Sequence, residues 1–173
     1  WGLHLESNRK PNIMVNVEAE MSNLTDWSIL GDWMGKQILP SWELPWGPMP
    51  RFVDLPRASF EMQKALAASA ANYGCPMLWA DGITSDAPDV ELFQGEVTFT
   101  EKDLEQRYRE LSPRGRVDLV VIGCPQASVG EARETAAAVR ARMELGEAIP
   151  DQRLWLFTSS HNYDLILADG TLD

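Results

Sequence analysis

The sequence predicts an α/β fold, a parallel sheet with helices packed on its faces, and three observations predict it. Over the last third of the chain, strand-like and helix-like segments alternate in the order strand, loop, helix, strand, loop, helix. The run Val117-Asp118-Leu119-Val120-Val121-Ile122-Gly123 is almost continuously apolar, the pattern of a strand buried on both faces of a parallel sheet. Each of these strands leads straight into a capped helix, which implies right-handed crossovers. A chain of 173 residues, 45% of them hydrophobic and seven of them Trp, can build one real core.

The elements follow in order. Ile13 to Ala19 is β-branched and partly alternating, which predicts a strand ending near Glu20. Thr25 and Asp26 open a helix carrying Trp27, Leu30, Trp33 and Met34 at helical spacing, ending before Pro40. From Pro40 to Pro56, with Pro45, Pro48 and Pro50 between and with Trp42 and Trp46, missing donors and fixed φ values resist helix and central strand alike. This predicts a long Pro/Trp-rich loop. Ser59 caps a helix running to Tyr73, with Gly74 at its left-handed end. The strand Pro76–Ala80 comes next, then a polar, turn-rich stretch from Asp81 to Gly95. Thr100 and Asp103 form a capping box for a helix with Leu104, Tyr108 and Leu111 on one face, stopping near Pro113. After the apolar run, Ser128 and Glu131 form a second capping box. It opens a helix to about Leu145 with Ala132, Ala136, Val139 and Met143 as its apolar stripe. The strand Leu154–Phe157 runs into Thr158-Ser159-Ser160 and a helix from about His161.

Composition narrows the function. Fifteen Lys+Arg against 26 Asp+Glu give a net charge of −11, which excludes general affinity for nucleic acid or anionic membranes. No stretch approaches the roughly 18 consecutive apolar residues of a membrane span. Two cysteines, Cys75 and Cys124, are too few for a disulfide scaffold and fit a reducing, cytoplasmic setting. The opening Trp1-Gly2-Leu3-His4-Leu5 reads as the middle of a fold, so a piece of a longer chain is expected.

Ligands of open α/β sheets bind beyond the carboxyl ends of the strands. Gly74-Cys75-Pro76 follows a helix and precedes a strand, which puts Cys75 at the wrong edge and predicts a small buried core residue. Gly123-Cys124-Pro125 follows a strand and precedes a helix N-terminus, where dipole and free N–H groups favour a thiolate; Cys124 is therefore either a working thiolate or a structural Cys. Thr158, Ser159 and Ser160 occupy the equivalent position after the next strand. Their hydroxyls can cap the helix or hold a carboxylate or phosphate. His161 reads as a surface residue before it reads as a base. The clusters Asp81/Asp86/Asp89/Glu91 and Glu101/Asp103/Glu105 read as solvated faces unless folding converges them on a cation. A Gly-x-Gly-x-x-Gly fingerprint, a Walker loop and a CxxC pair are all missing.

Several stretches together resemble the catalytic domain of the aconitase X family of hydro-lyases. They are Gly2–Arg9, Val15–Glu20, Gly82–Pro88 and, most specifically, Asp118-Leu119-Val120-Val121-Ile122-Gly123-Cys124-Pro125-Gln126-Ala127-Ser128, and they occur in family order. The resemblance implies a three-layer αβα domain of aconitase-like type. It also implies that residues 1–173 are a partial catalytic domain, with strand, helix and loop in 1–56 and repeated βα units in 57–173, and without the small swivelling domain that covers the site in the same or a separate chain. The implied reaction is dehydration of a small hydroxy acid of the mevalonate 5-phosphate or hydroxyproline type at an iron or iron–sulfur centre. Within it, Cys124 matches a metal ligand, and Thr158 and Ser159 match the Thr-Ser pair that precedes a carboxylate-binding cation in relatives, the position held here by Ser160. Relatives commonly carry His where this chain has Gln126 and Arg where it has Ser160.

Three functions are therefore expected to compete. The first is part of a dehydratase whose remaining cysteine ligands lie outside this chain, the isolated 173 residues being inactive and without a stable cluster. The second is a catalytically degenerate binding protein that uses the Trp-rich loop, with Trp42 and Trp46 as interface candidates. The third is a Cys124-nucleophile transferase, which needs a base the sequence does not identify.

Overall fold

A computed structural model describes residues 2–38, 47–85, 87–90, 92–147 and 153–172. The chain divides into two compact units, residues 1–112 and 113–173, each described by itself. The first unit opens with two short 3-10 turns, Gly2–His4 and Glu6–Asn8. It then carries β1 (Ile13–Val17), α1 (Leu24–Ile38), β2 (Pro50–Val53), α2 (Phe60–Ala71), β3 (Trp79–Ala80), β4 (Gly95–Phe99) and α3 (Glu101–Leu111). All strands are parallel, in the order β3-β2-β1-β4. The predicted α/β class, a parallel sheet flanked by helices, is what forms.

Alternation makes β1 central. Ile13, Val15 and Val17 face a core completed by Phe52, Ala80 and Phe99 from the other strands and by Trp27, Leu30, Trp33 and Met34 from α1. Trp33 and Phe99 meet as tilted rings 5.0 Å apart. On the other side of α1, Gly31 and Gly35 let α2 approach closely. A Cβ on Gly31 would lie 2.6 Å from the Leu66 carbonyl oxygen, and one on Gly35 would lie 2.3 Å from the Tyr73 ring. Polar ties reinforce the helical layer. The Tyr73 hydroxyl donates to Asp32 Oδ1 at 2.6 Å, and the buried Arg107 guanidinium of α3 pairs with the same carboxylate.

Asp26 is also buried, and burial pushes its carboxyl up. Hydrogen bonds from Tyr108 and from Ser22 and Asn23 outweigh that effect and hold it below the ordinary carboxylate range. The Ser59 cap, the Thr100–Asp103 box and the left-handed Gly74 form as predicted.

Several expectations need correction. The Pro40–Pro56 segment is not all loop, because Pro50–Val53 forms β2 between β1 and β3. Pro50 stands at the strand's first residue, where proline is tolerated, and Phe52 is fully buried. The N–H of Asn12 donates to the Met49 carbonyl and the Met49 N–H to Asn12 Oδ1, which aligns the two strand starts. Residues 39–46, with Trp42 and Trp46, lie outside the described residues. The stretch before Thr100 hides β4, whose Val97 and Phe99 face the core while Glu96 and Thr98 are exposed. The strand expected at Pro76–Ala80 is only Trp79–Ala80.

The second unit holds β5 (Val120–Ala127), α4 (Val129–Glu144), β6 (Leu154–Thr158) and α5 (Ser160–Ala168), with β5 and β6 parallel. The apolar run does not enter the sheet as a doubly buried strand. Val117, Leu119, Val120 and Val121 are exposed, and the strand begins only at Val120. β5 has one strand neighbour among the described residues, so burial on both faces is not reached here. Ala132 of α4 is buried, whereas Met143, at the far end of the predicted stripe, is exposed.

Candidate active site turn

The turn after the apolar run is built by a mismatch in register. Val120, Val121 and Ile122 pair with Leu154, Trp155 and Leu156, and pairing resumes at Ala127 with Thr158. On β6 only Phe157 lies between the paired stretches, while on β5 Gly123, Cys124, Pro125 and Gln126 must fit the same interval. They leave the ladder as an excursion, as extra residues in a bulge must. Gly123 permits its start. Its φ of +139° disfavours any side chain, and a Cβ there would lie 2.5 Å from Phe157 Cβ and 2.7 Å from the Phe157 carbonyl oxygen. The Cys124–Pro125 peptide is cis. Cys124 is exposed.

The far end of the excursion is anchored by its carbonyl. Thr158 Oγ1 donates to the Ala127 oxygen at 2.6 Å, and Asn162 Nδ2 donates to the same oxygen at 3.2 Å. Ser128 then caps α4, its Oγ accepting from the Glu131 N–H at 3.1 Å while Glu131 accepts from the Ser128 N–H at 2.7 Å. Ser159 caps α5 by accepting from the Asn162 N–H at 3.2 Å. Two helix N-termini thus lie at the carboxyl ends of two adjacent parallel strands, an arrangement suited to anionic groups.

Of the predicted site residues, Cys124, Thr158, Ser159 and Ser160 all belong to this one strand-to-helix corner of the second unit. Thr158 and Ser159 already serve the backbone through the bonds above. Ser160 and His161 are exposed at the start of α5. Asn162 was not singled out by sequence reasoning, although an Asn three residues after a cap was the available signal. Gly123 had a clearer one, since an isolated glycine inside a strand pattern marks a bulge or close backbone approach.

Cys75 lies in the first unit, buried, with its thiol within 3.3 Å of the Pro48 and Met77 carbonyl oxygens. Burial pushes that thiol up to about 12, so it stays protonated. Among the described residues the acidic clusters do not converge on a cation site. Asp81 pairs with Arg51 at 2.8 and 3.0 Å, Asp103 serves the Thr100 box, and Glu105 lies 3.5 Å from Arg109; Asp86 and Glu91 are outside the described residues. Among the described residues no group of three or more His, Cys, Asp or Glu side chains could hold a metal ion. One exposed soft donor, Cys124, suits iron as a single ligand and no more.

Comparison with known proteins agrees with this architecture. Residues 11–109 match the family described as the aconitase X second domain. The phosphomevalonate dehydratase large subunit of Thermococcus kodakarensis is 30% identical over 145 residues, covering 82% of this chain and 36% of that protein. Its counterpart from Methanothermobacter thermautotrophicus is 29% identical over 164 residues, 92% of this chain and 38% of that protein. The chain therefore spans little more than a third of these relatives' length. The crystal structure of Thermococcus kodakaraensis aconitase X in its holo-form superposes with a TM-score of 0.83 at 28% identity, over 99% of this chain and 42% of that one. The structural match takes in the Cys124 corner as well as the sheet of the first unit, and with the family match over more than half the residues it establishes that this chain belongs to the aconitase X family.

Proposed function

We propose that this chain is part of a cytoplasmic dehydratase, a hydro-lyase acting on a small hydroxy acid of the mevalonate 5-phosphate or hydroxyproline type. On this reading residues 1–173 are a partial catalytic domain. A small swivelling domain or small subunit covers the site, and further cysteine ligands come from parts of the protein outside this chain. The observation that carries the reading is the register mismatch that lifts Cys124 out of the β5–β6 ladder and leaves it exposed in the turn that leads into α4. The relatives' names supply the reaction class.

Cys124 is proposed as one ligand of an iron or iron–sulfur centre. When bound, such a centre supplies Lewis-acid polarisation of the departing hydroxyl. The chain's own residues have a different task. Ser160 and the first N–H groups of α5, with Thr158 and Ser159 behind them, are proposed to hold the substrate's carboxylate or phosphate and orient it. Because Ser160 is uncharged, anion binding here relies on hydroxyls and helix N–H groups rather than on an ion pair.

The test is dehydration of mevalonate 5-phosphate and of cis-3-hydroxy-L-proline by the full-length protein, purified anaerobically with and without its small subunit. Turnover of one of them, lost in Cys124→Ser, is expected. A well-folded, iron-loaded protein that turns over neither would instead favour the degenerate binding protein, for which Gln126 and Ser160 are the motivating departures.

A further inference from the structure

In the second unit α4, β6 and α5 enclose a cavity of about 420 Å³. Leu154 and Leu156 of β6, Val139 of α4 and Ile166 of α5 give it apolar walls, and the short side chains of Ala132 and Ala136 leave the room. Its three threonines direct their donors elsewhere. Thr135 Oγ1 donates to the Glu131 carbonyl at 2.7 Å, Thr158 Oγ1 to the Ala127 carbonyl at 2.6 Å and Thr171 Oγ1 to Asp169. An ordered water needs about two to four polar partners, so this lining suits an apolar occupant better than a cluster of waters. The volume falls in the range of about 300–1,000 Å³ usual for small-molecule sites.

A cation also lines this cavity. Arg140 donates through Nη2 to the Gly170 and Thr171 carbonyls at 3.4 and 2.8 Å. Arg133 and Arg142 of the same helix pair with Asp169 and Glu147, whereas Arg140 has no carboxylate partner among the described residues. A guanidinium carries donors on three nitrogens, so Nε and Nη1 of Arg140 stay available to an anion. We propose that the cavity binds a small amphiphilic anion, a medium-chain fatty acid in chemical class, with its tail between α4 and α5 and its carboxylate on Arg140. The apolar walls select the tail, and the unpaired charge selects the head. The proposal goes beyond the dehydratase reading and needs neither Cys124 nor a metal, so either can fail without the other.

Calorimetric titration of the full-length protein with decanoate, kept below its micelle concentration, tests this. Butyrate is the probe that lacks the tail, and decanol the probe that lacks the charge. Wild type is expected to bind decanoate saturably and butyrate about tenfold more weakly or less. Ala136→Phe places a ring in the cavity and should weaken decanoate about tenfold or more. Ala136→Leu, a smaller intrusion, reads the same effect where the larger ring prevents folding. Arg140→Gln removes the charge and should weaken decanoate about fivefold while leaving decanol unchanged. Absence of saturable decanoate binding by wild type would overturn the site, as would an affinity that neither Ala136 substitution changes. An equal effect of Arg140→Gln on decanoate and decanol would overturn the assignment of the head group to Arg140.

Discussion

Gly123→Ala perturbs the corner at the point where β5 leaves the ladder. The new Cβ would lie 2.5, 2.7 and 3.0 Å from Phe157 Cβ, O and Cα, which are backbone or directly attached to it, so no flexible side-chain end can swing aside. The shortest of these falls about 0.9 Å below ordinary contact, and relief requires β5 and β6 to separate. The φ of +139° adds strain that glycine alone avoids. A strained backbone costs about 1–3 kcal/mol and overpacking a similar amount, which together give about 3 kcal/mol after the small gain from a less flexible unfolded chain. For a unit of this size that lowers the unfolding midpoint by about 12 °C or more. Hydrogen exchange of the β5 and β6 amides along a thermal or urea series reads this unit separately from the first. Gly115→Ala is the control, because nothing lies within 4 Å of its Cβ position, and it should change stability by less than about 0.5 kcal/mol. A Gly123→Ala midpoint as close to wild type as the control's would refute the close approach and the excursion built on it.

Two further predictions concern the first unit. Gly31→Ala gains about 1 kcal/mol of helix propensity but drives α1 from the Leu66 carbonyl and endangers the 2.8 Å Ser28–Ser69 hydroxyl bond; a net loss of about 2 kcal/mol is expected in urea unfolding, and a gain would contradict the packing. Cys75 has its folded-state value raised from 9.0 to about 12, so the unfolded state loses this proton first as pH rises. Its contribution is complete below pH 9 and fades between pH 9 and 12, by up to about 1.4 kcal/mol per pH unit, and the slope should shrink in Cys75→Ala. A pH profile identical in the two proteins would place the thiol in solvent.

Local signals in the sequence were the most legible. Both capping boxes, the Ser59 cap and the Gly74 turn need only residues a few positions apart, and all four form. What depended on distant partners was harder to read. β2 begins with a proline and sits in a proline-rich stretch, so its central position comes from pairing with β1 and β3 rather than from its composition. β4 is a five-residue alternation behind a turn-rich segment, stabilised by Phe99 against Trp33. The Cys124 corner was legible as strand, cap and helix. Its four-against-one register was not, because that depends on where β6 resumes pairing.

Iron bound per chain in the full-length protein, purified anaerobically and compared with Cys124→Ser, tests the central assignment most directly, with iron K-edge absorption to count sulfur ligands. Wild-type protein should bind iron with cysteine sulfur in its coordination shell. Cys124→Ser, folded to the same unfolding midpoint, should lose most of that iron or one sulfur ligand. Equal iron and equal sulfur coordination in the two proteins would contradict the account and move the metal away from the β5–α4 turn.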